Sequence, residues 1–224
     1  MKKTALTLAM GLMISGAANA ALEANIGATS NYVWRGMTQT DNQAAVSGGL
    51  DYTNESGFYA GTWASNIDWA ASGTGTEVDF YAGVSSDDYD LGVIYFYYPD
   101  HSNSDFSEVY GSYTLGGVTA GIAYTVSGVD ETAAGNEQYI KGDTYYYLST
   151  GGELSDGWSL SGTLGYYDFE DDGVAASDTS FGHFQLDLSK SVEGFADVTM
   201  SVSQAEAESG DNDPKLFVSI SKSF

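Results

Sequence analysis

The sequence predicts an all-β fold: a transmembrane antiparallel β-barrel of about twelve strands with both termini periplasmic. Three observations predict it. First, the closing residues alternate. Leu216, Val218, Ile220, Lys222 and Phe224 share one face, and Phe217, Ser219, Ser221 and Ser223 share the other. That is the period-two pattern of a half-buried strand. Second, the connections between strands alternate between short and long. Third, beyond residue 20 no apolar run approaches the length of a spanning helix. A membrane crossing would then require a closed sheet, because hydrocarbon cannot satisfy open strand edges.

The first element is a leader. Lys2 and Lys3 precede a short apolar run over residues 5–14, and Ala18-Asn19-Ala20 has the small-residue pattern of a cleavage site. Residues 1–20 therefore read as a secretory signal peptide, too short in its apolar part to be an anchor, and residues 21–224 as the barrel. The basic residues left are Arg35, Lys141, Lys190, Lys215 and Lys222, against 31 acidic ones. Such a surface is a poor partner for nucleic acid. The absence of cysteine excludes disulfides and thiolate metal sites. The 17 Tyr, 10 Phe and 4 Trp argue against acidic disorder.

The strands fall near residues 22–36, 43–53, 57–69, 76–85, 89–98, 106–115, 117–127, 141–149, 157–169, 181–191, 195–204 and 214–224. Most match the roughly nine to eleven residues of a tilted spanning strand. Residues 54–56, 86–88, 116, 150–156 and 192–194 form the shorter turns, and 37–42, 70–75, 99–105, 128–140, 170–180 and 205–213 the longer loops. A soluble sandwich has no reason to sort its loops in this way, whereas an outer-membrane barrel does. Within strands, Val118, Ala120, Ile122, Tyr124 and Val126 alternate with Thr119, Gly121, Ala123 and Thr125. Ala196, Val198, Met200 and Val202 alternate with Asp197, Thr199, Ser201 and Ser203. Tyr32, Trp34, Trp69, Tyr95, Tyr97, Trp158, Tyr166 and Phe195 gather near strand ends, as interfacial girdles do.

The segment Gly27-Ala28-Thr29-Ser30-Asn31-Tyr32-Val33-Trp34-Arg35-Gly36-Met37-Thr38-Gln39 resembles the N-terminal signature of the TorF family of porins. The likeness continues through Gly48-Gly49-Leu50-Asp51-Tyr52, Asp79-Phe80-Tyr81-Ala82-Gly83, Glu108-Val109-Tyr110-Gly111 and the closing Ser221-Lys222-Ser223-Phe224. The terminal Phe224 is similar to the barrel-assembly signal of outer-membrane proteins. The resemblance implies a bacterial outer-membrane barrel that contacts lipid and lipopolysaccharide. It further implies contact with the assembly machinery through the last strand and a pore for small solutes. It brings no catalytic residues and no cofactor.

Strand parity assigns the lumen. Arg35, the only arginine, is expected on the inner face of the first strand near the outer rim. Glu77, Asp79, Glu108, Asp143 and Asp187 point inward with it, opposed only by Arg35 and by Lys141 if that residue also turns in. Such a lumen favours cations or neutral solutes over anions. The same residues would equally serve as an ion-paired plug in a closed structural or receptor barrel with acidic external loops. Twelve strands fall between filled and open barrels, and Tyr145, Tyr147 and Tyr167 narrow the interior further.

The longer loops are acidic, with Asp168, Glu170, Asp171, Asp172 and Asp178 in one and Glu206, Glu208, Asp211 and Asp213 in another. Solvated charge explains them. Asp211 and Asp213 alternate as in a Ca²⁺ loop but lack its glycine and distal glutamate, so no metal site is assigned. His183 shares the lumen parity of Gln185 and Asp187, but no nucleophile motif accompanies it, and the chain is read as a non-enzyme.

Overall fold

The computed structural model describes residues 21–129, 138–170 and 179–224. The leader assigned to residues 1–20, its cleavage point, and the acidic loop residues Asp171, Asp172 and Asp178 lie outside the described residues. Twelve strands form one closed barrel: β1 (Ala21–Thr29), β2 (Ala45–Thr53), β3 (Phe58–Asp68), β4 (Thr74–Ser85), β5 (Tyr89–Tyr97), β6 (Phe106–Leu115), β7 (Val118–Ser127), β8 (Thr144–Glu153), β9 (Trp158–Asp168), β10 (Phe181–Val192), β11 (Ala196–Ala205) and β12 (Lys215–Ser223). Each pairs antiparallel with its neighbours in sequence, and β1 closes onto β12, with Ile26 opposite Lys222 and Ala28 opposite Ile220. Phe224 extends the seam: its N–H donates to the Ala24 carbonyl at 2.9 Å, and its carbonyl accepts from Ala24 at 3.3 Å.

The outward side of this sheet is apolar. Leu216 is 77% exposed while Phe217 beside it is 6% exposed. Leu22, Ile26, Leu91, Val93, Ile122, Leu148, Leu164, Leu186 and Met200 likewise face out. Inward positions carry Ser65, Thr125, Ser149, Ser201 and Ser203, all buried. Alternation within each strand therefore sorts the two faces as expected.

Loop lengths sort by rim. The short turns are 54–57, 86–88, 116–117, 154–157 and 193–195. The Gly116-Gly117 pair has φ of 61° and 85°, the double left-handed backbone that a two-residue hairpin requires. The start of β1 at Ala21 and the end of β12 lie on this rim. The described residues of the opposite rim are 30–44, 98–105, 128–129, 138–143, 169–170, 179–180 and 206–214, with tight 3₁₀ turns at Ala70–Ser72 and Ala207–Ser209.

Two strand expectations are corrected. The first strand stops at Thr29, not near residue 36, because residues 30–44 leave the wall. The eighth begins at Thr144, three residues later than expected, so Lys141 is an exposed loop residue and does not face the lumen. Gly142, at φ 117°, makes that bend.

Inward tyrosines press onto glycines of neighbouring strands. The Tyr147 ring on β8 covers Gly121 on β7, which it directly faces in register. A Cβ at Gly121 would overlap that ring. Gly121→Ala should cost about 1–3 kcal/mol by overpacking. It should lower the temperature at which the purified barrel loses its compact mobility on a denaturing gel.

Candidate functional site: a hairpin inside the lumen

Residues 30–44 fold inward instead of standing above the rim. Their core is a minimal hairpin in which Val33 pairs Thr38 and Trp34 pairs Met37. Its tip is Arg35-Gly36, with φ of 46° and 88°. Glycine is needed at 36 for that backbone, and also because a Cβ there would meet the His183 Cβ at 2.7 Å. Asn31, Thr38 and Thr40 brace the hairpin internally: Thr38 Oγ1 donates to Asn31 Oδ1 at 2.6 Å, and Tyr32 N–H donates to Thr40 Oγ1 at 3.1 Å.

Arg35 is therefore in the lumen, as expected, but is carried by a hairpin and not by a strand. Its guanidinium makes a two-pronged contact with Glu108 on β6, Nη1 to Oε1 at 2.7 Å and Nη2 to Oε2 at 2.6 Å. A β-bulge aims Glu108. Ser107 pairs Ser127 while Glu108 pairs Thr125, so Val126 is an extra residue on β7. Rings enclose the cation, with Trp34 and Tyr145 each 4.3 Å from it and Tyr167 at 5.1 Å. Trp34 packs against Phe96 at 5.6 Å and Tyr139 at 5.9 Å, and Phe96 stacks on Phe106 at 4.2 Å.

The hairpin is tied at a second point. Thr38 N–H donates to Asp211 Oδ2 at 2.7 Å, and Asp211 Oδ1 pairs with Lys215 Nζ at 2.9 Å. Lys215 is buried on the inner face of β12 and also donates to the Asp211 and Asp213 carbonyls. Both Asp211 oxygens thus already have donors, and the Asp213 side chain is exposed. Parity with Phe217 is the signal in the sequence that marks Lys215 as inward.

The remaining inward acids fall into two groups. Toward the short-turn rim, Asp51 accepts from Asn25 at 2.9 Å and from the Tyr81 hydroxyl. Asp90 accepts from Tyr59 at 2.6 Å, and Asp187 from Ser201 at 2.6 Å and Gln185 at 2.9 Å. Asp143 stands just ahead of β8 as a loop clamp. Its oxygens accept the N–H groups of Glu170 at 2.8 Å and Ile140 at 3.0 Å. Burial pushes its carboxyl up to about 6, against those backbone bonds. Toward the long-loop rim, Glu77 and Asp79 on β4 are buried beneath the hairpin, and no basic side chain pairs with either among the described residues.

His183 lies in the same half of the lumen. It shares a hydrogen bond with the Tyr145 hydroxyl at 2.8 Å and stacks on that ring. Asp168 is exposed, and Asp171, Asp172 and Asp178 lie outside the described residues. No set of three or more His, Asp or Glu side chains is poised to hold a metal among the described residues.

A family model described as "Bacterial protein of unknown function (Gcw_chp)" matches residues 14–223. The chain belongs to that family. No curated protein sequence matches it. Among solved structures, the COG4313 outer membrane channel from Pseudomonas putida F1 is similar at 13% identity and a TM-score of 0.56, over 97% of this chain and 100% of that one. A KdgM porin is similar at 7% identity and 0.55, over 90% of this chain and 98% of its own. A NanC porin is similar at 12% identity and 0.53, with the same coverage. At such identities the likeness is one of fold: the Gcw_chp chain has the barrel architecture of outer-membrane porins.

Removing one partner of a buried ion pair costs about 3–5 kcal/mol, because the other charge is left unpaired. Glu108→Gln in this Gcw_chp barrel should release the hairpin by that order. The checks are a lower unfolding temperature and new protease cleavage within residues 30–44, with Asp156→Asn on the short-turn rim unchanged.

Proposed function

We propose that the chain is a bacterial outer-membrane, porin-like channel for passive diffusion of small solutes or ions, with the short-turn rim and both termini periplasmic. Its interior prefers cations or neutral solutes. The observation that carries this reading is the charge balance of the lumen. Arg35 and Lys215, the inward basic residues, are spent on Glu108 and Asp211. Lys141 is exposed in a loop, and Lys190 and Lys222 lie against Trp158 and Phe224 on the outer face. Glu77, Asp79, Asp51, Asp90 and Asp187 remain as acids, and like charges in a narrow pore set its selectivity.

The apolar outer belt supports placement in lipid, since a closed sheet is the way strands meet hydrocarbon. Lysines beside aromatics at strand ends suit a membrane interface, where stems lie along apolar surface and the charge reaches water. The opening segment's resemblance to TorF porins agrees with the same reading. Contacts with lipopolysaccharide through the long loops and with assembly machinery through Phe224 belong to the proposal.

The doubly tied hairpin favours a second reading, a closed structural or receptor barrel. The two readings part in one experiment. The purified barrel in planar bilayers under a KCl gradient should give a reversal potential on the cation side. Arg35→Gln should raise unitary conductance at least twofold by freeing the hairpin. Preference for chloride would overturn the selectivity, and an impermeable wild-type barrel in both bilayers and swelling liposomes would establish the closed reading.

A further inference from the structure

Five of the buried or half-buried carboxylates inside this barrel have hydrogen-bond donors. Asp51, Asp90, Asp143, Asp187 and Glu108 each accept from a named N–H or O–H. Glu77 and Asp79 differ. They occupy consecutive inward positions on β4, at 2% and 0% exposure. Glu77 Oε1 accepts from the Tyr98 hydroxyl at 3.3 Å, but Glu77 Oε2 and both Asp79 oxygens are buried without a hydrogen-bond partner among the described residues. The inward hairpin brings Tyr32 to this side of the lumen against Trp63, the residue opposite Asp79 in register, with its hydroxyl turned toward Glu77 and no other partner for it among the described residues.

A buried carboxylate without a donor is strongly penalised. Arg35 and Lys215 are engaged elsewhere, and the other lysines among the described residues, Lys141, Lys190 and Lys222, are not in the lumen. Among the described residues no cation stands against these two acids, and a bound cation would balance them. Two carboxylates and a hydroxyl are hard oxygen donors, which suit Ca²⁺ or Mg²⁺ and not a softer metal. A doubly charged ion also balances the two acids. Phe96 faces Asp79 from β5, so the surroundings are apolar and the ion's attraction is weakly screened.

We propose that Glu77 and Asp79, with the Tyr32 hydroxyl, form a site for one hard divalent cation in the lumen. The ion sits between the β4 wall and the hairpin, and clasps the hairpin independently of Arg35 and Glu108. The proposal rests on the lumen assignment used for the channel reading but not on solute passage.

The test uses the folded, chelator-treated barrel in detergent at constant ionic strength. Ca²⁺ and Mg²⁺ are titrated separately while thermal unfolding is followed. The wild type should show a saturable rise of roughly 5 °C at metal 100-fold above Kd. Glu77→Gln with Asp79→Asn should abolish the rise while keeping the shape of the wall, and compact gel mobility reports that this variant is folded. Tyr32→Phe should weaken apparent affinity severalfold, and Glu153→Gln on the short-turn rim should change nothing. No saturable rise in the wild type would overturn the site. An undiminished rise in the folded double variant would also do so, as would a rise produced by acidification alone and not by either metal. Bilayer conductance of the same samples separates the two claims: a conducting barrel without metal dependence removes the site only, and a metal-dependent, impermeable barrel removes the channel only.

Discussion

A sheet that closes on itself has no edge, and that constraint organises everything else in this molecule. Ala24 and Phe224 complete the ladder between the first and last strands, so every strand has two neighbours. Closure also creates an interior that must be filled or wetted. With twelve strands the wall's own side chains do not suffice. The inward hairpin and the aromatic cluster around Trp34, Phe96, Phe106 and Tyr167 occupy the long-loop half. Toward the short turns, hydrogen-bonded acids and tyrosines line the half-buried wall.

The hairpin brings a charge into a dry place, which is unfavourable unless the partner is well aimed. Arg35 meets Glu108 in the two-pronged geometry that a guanidinium provides and lysine does not. Three rings share the cation's remaining faces, each contact worth about 0.5–2 kcal/mol. Such a pair contributes less to net stability than to placing the hairpin in one position. The bulge in the sheet beside Glu108 agrees with this, since it disturbs the ladder where it re-aims that side chain.

The barrel fold recurs across sequences with little identity, because alternation and turns demand residue classes more than particular residues. What distinguishes one from another is the content of the lumen. Here that content is two engaged cations, a set of hydrogen-bonded acids, and the neighbouring buried acids Glu77 and Asp79, of which Asp79 has no hydrogen-bond partner among the described residues.

By itself the sequence determined the barrel. Period-two alternation named the outward residues Leu216, Val218 and Ile220, and the same counting sent Glu77, Asp79, Glu108 and Asp187 inward, because side-chain direction in a strand is a local property. Turn chemistry at Gly116-Gly117 and the sorting of loops were legible for the same reason. The Arg35 hairpin was not, since Tyr32, Val33 and Trp34 alternate as a strand would and nothing local says that the chain has left the wall. Lys141 was misplaced because a strand's start depends on its neighbours' register. Only the tertiary structure decided that Arg35 meets Glu108 and that Asp211 is held by Thr38 and Lys215. Arg35 and Glu108, like Thr38 and Asp211, lie far apart in sequence, and closure of the sheet together with the inward fold of the hairpin brings them within hydrogen-bonding distance.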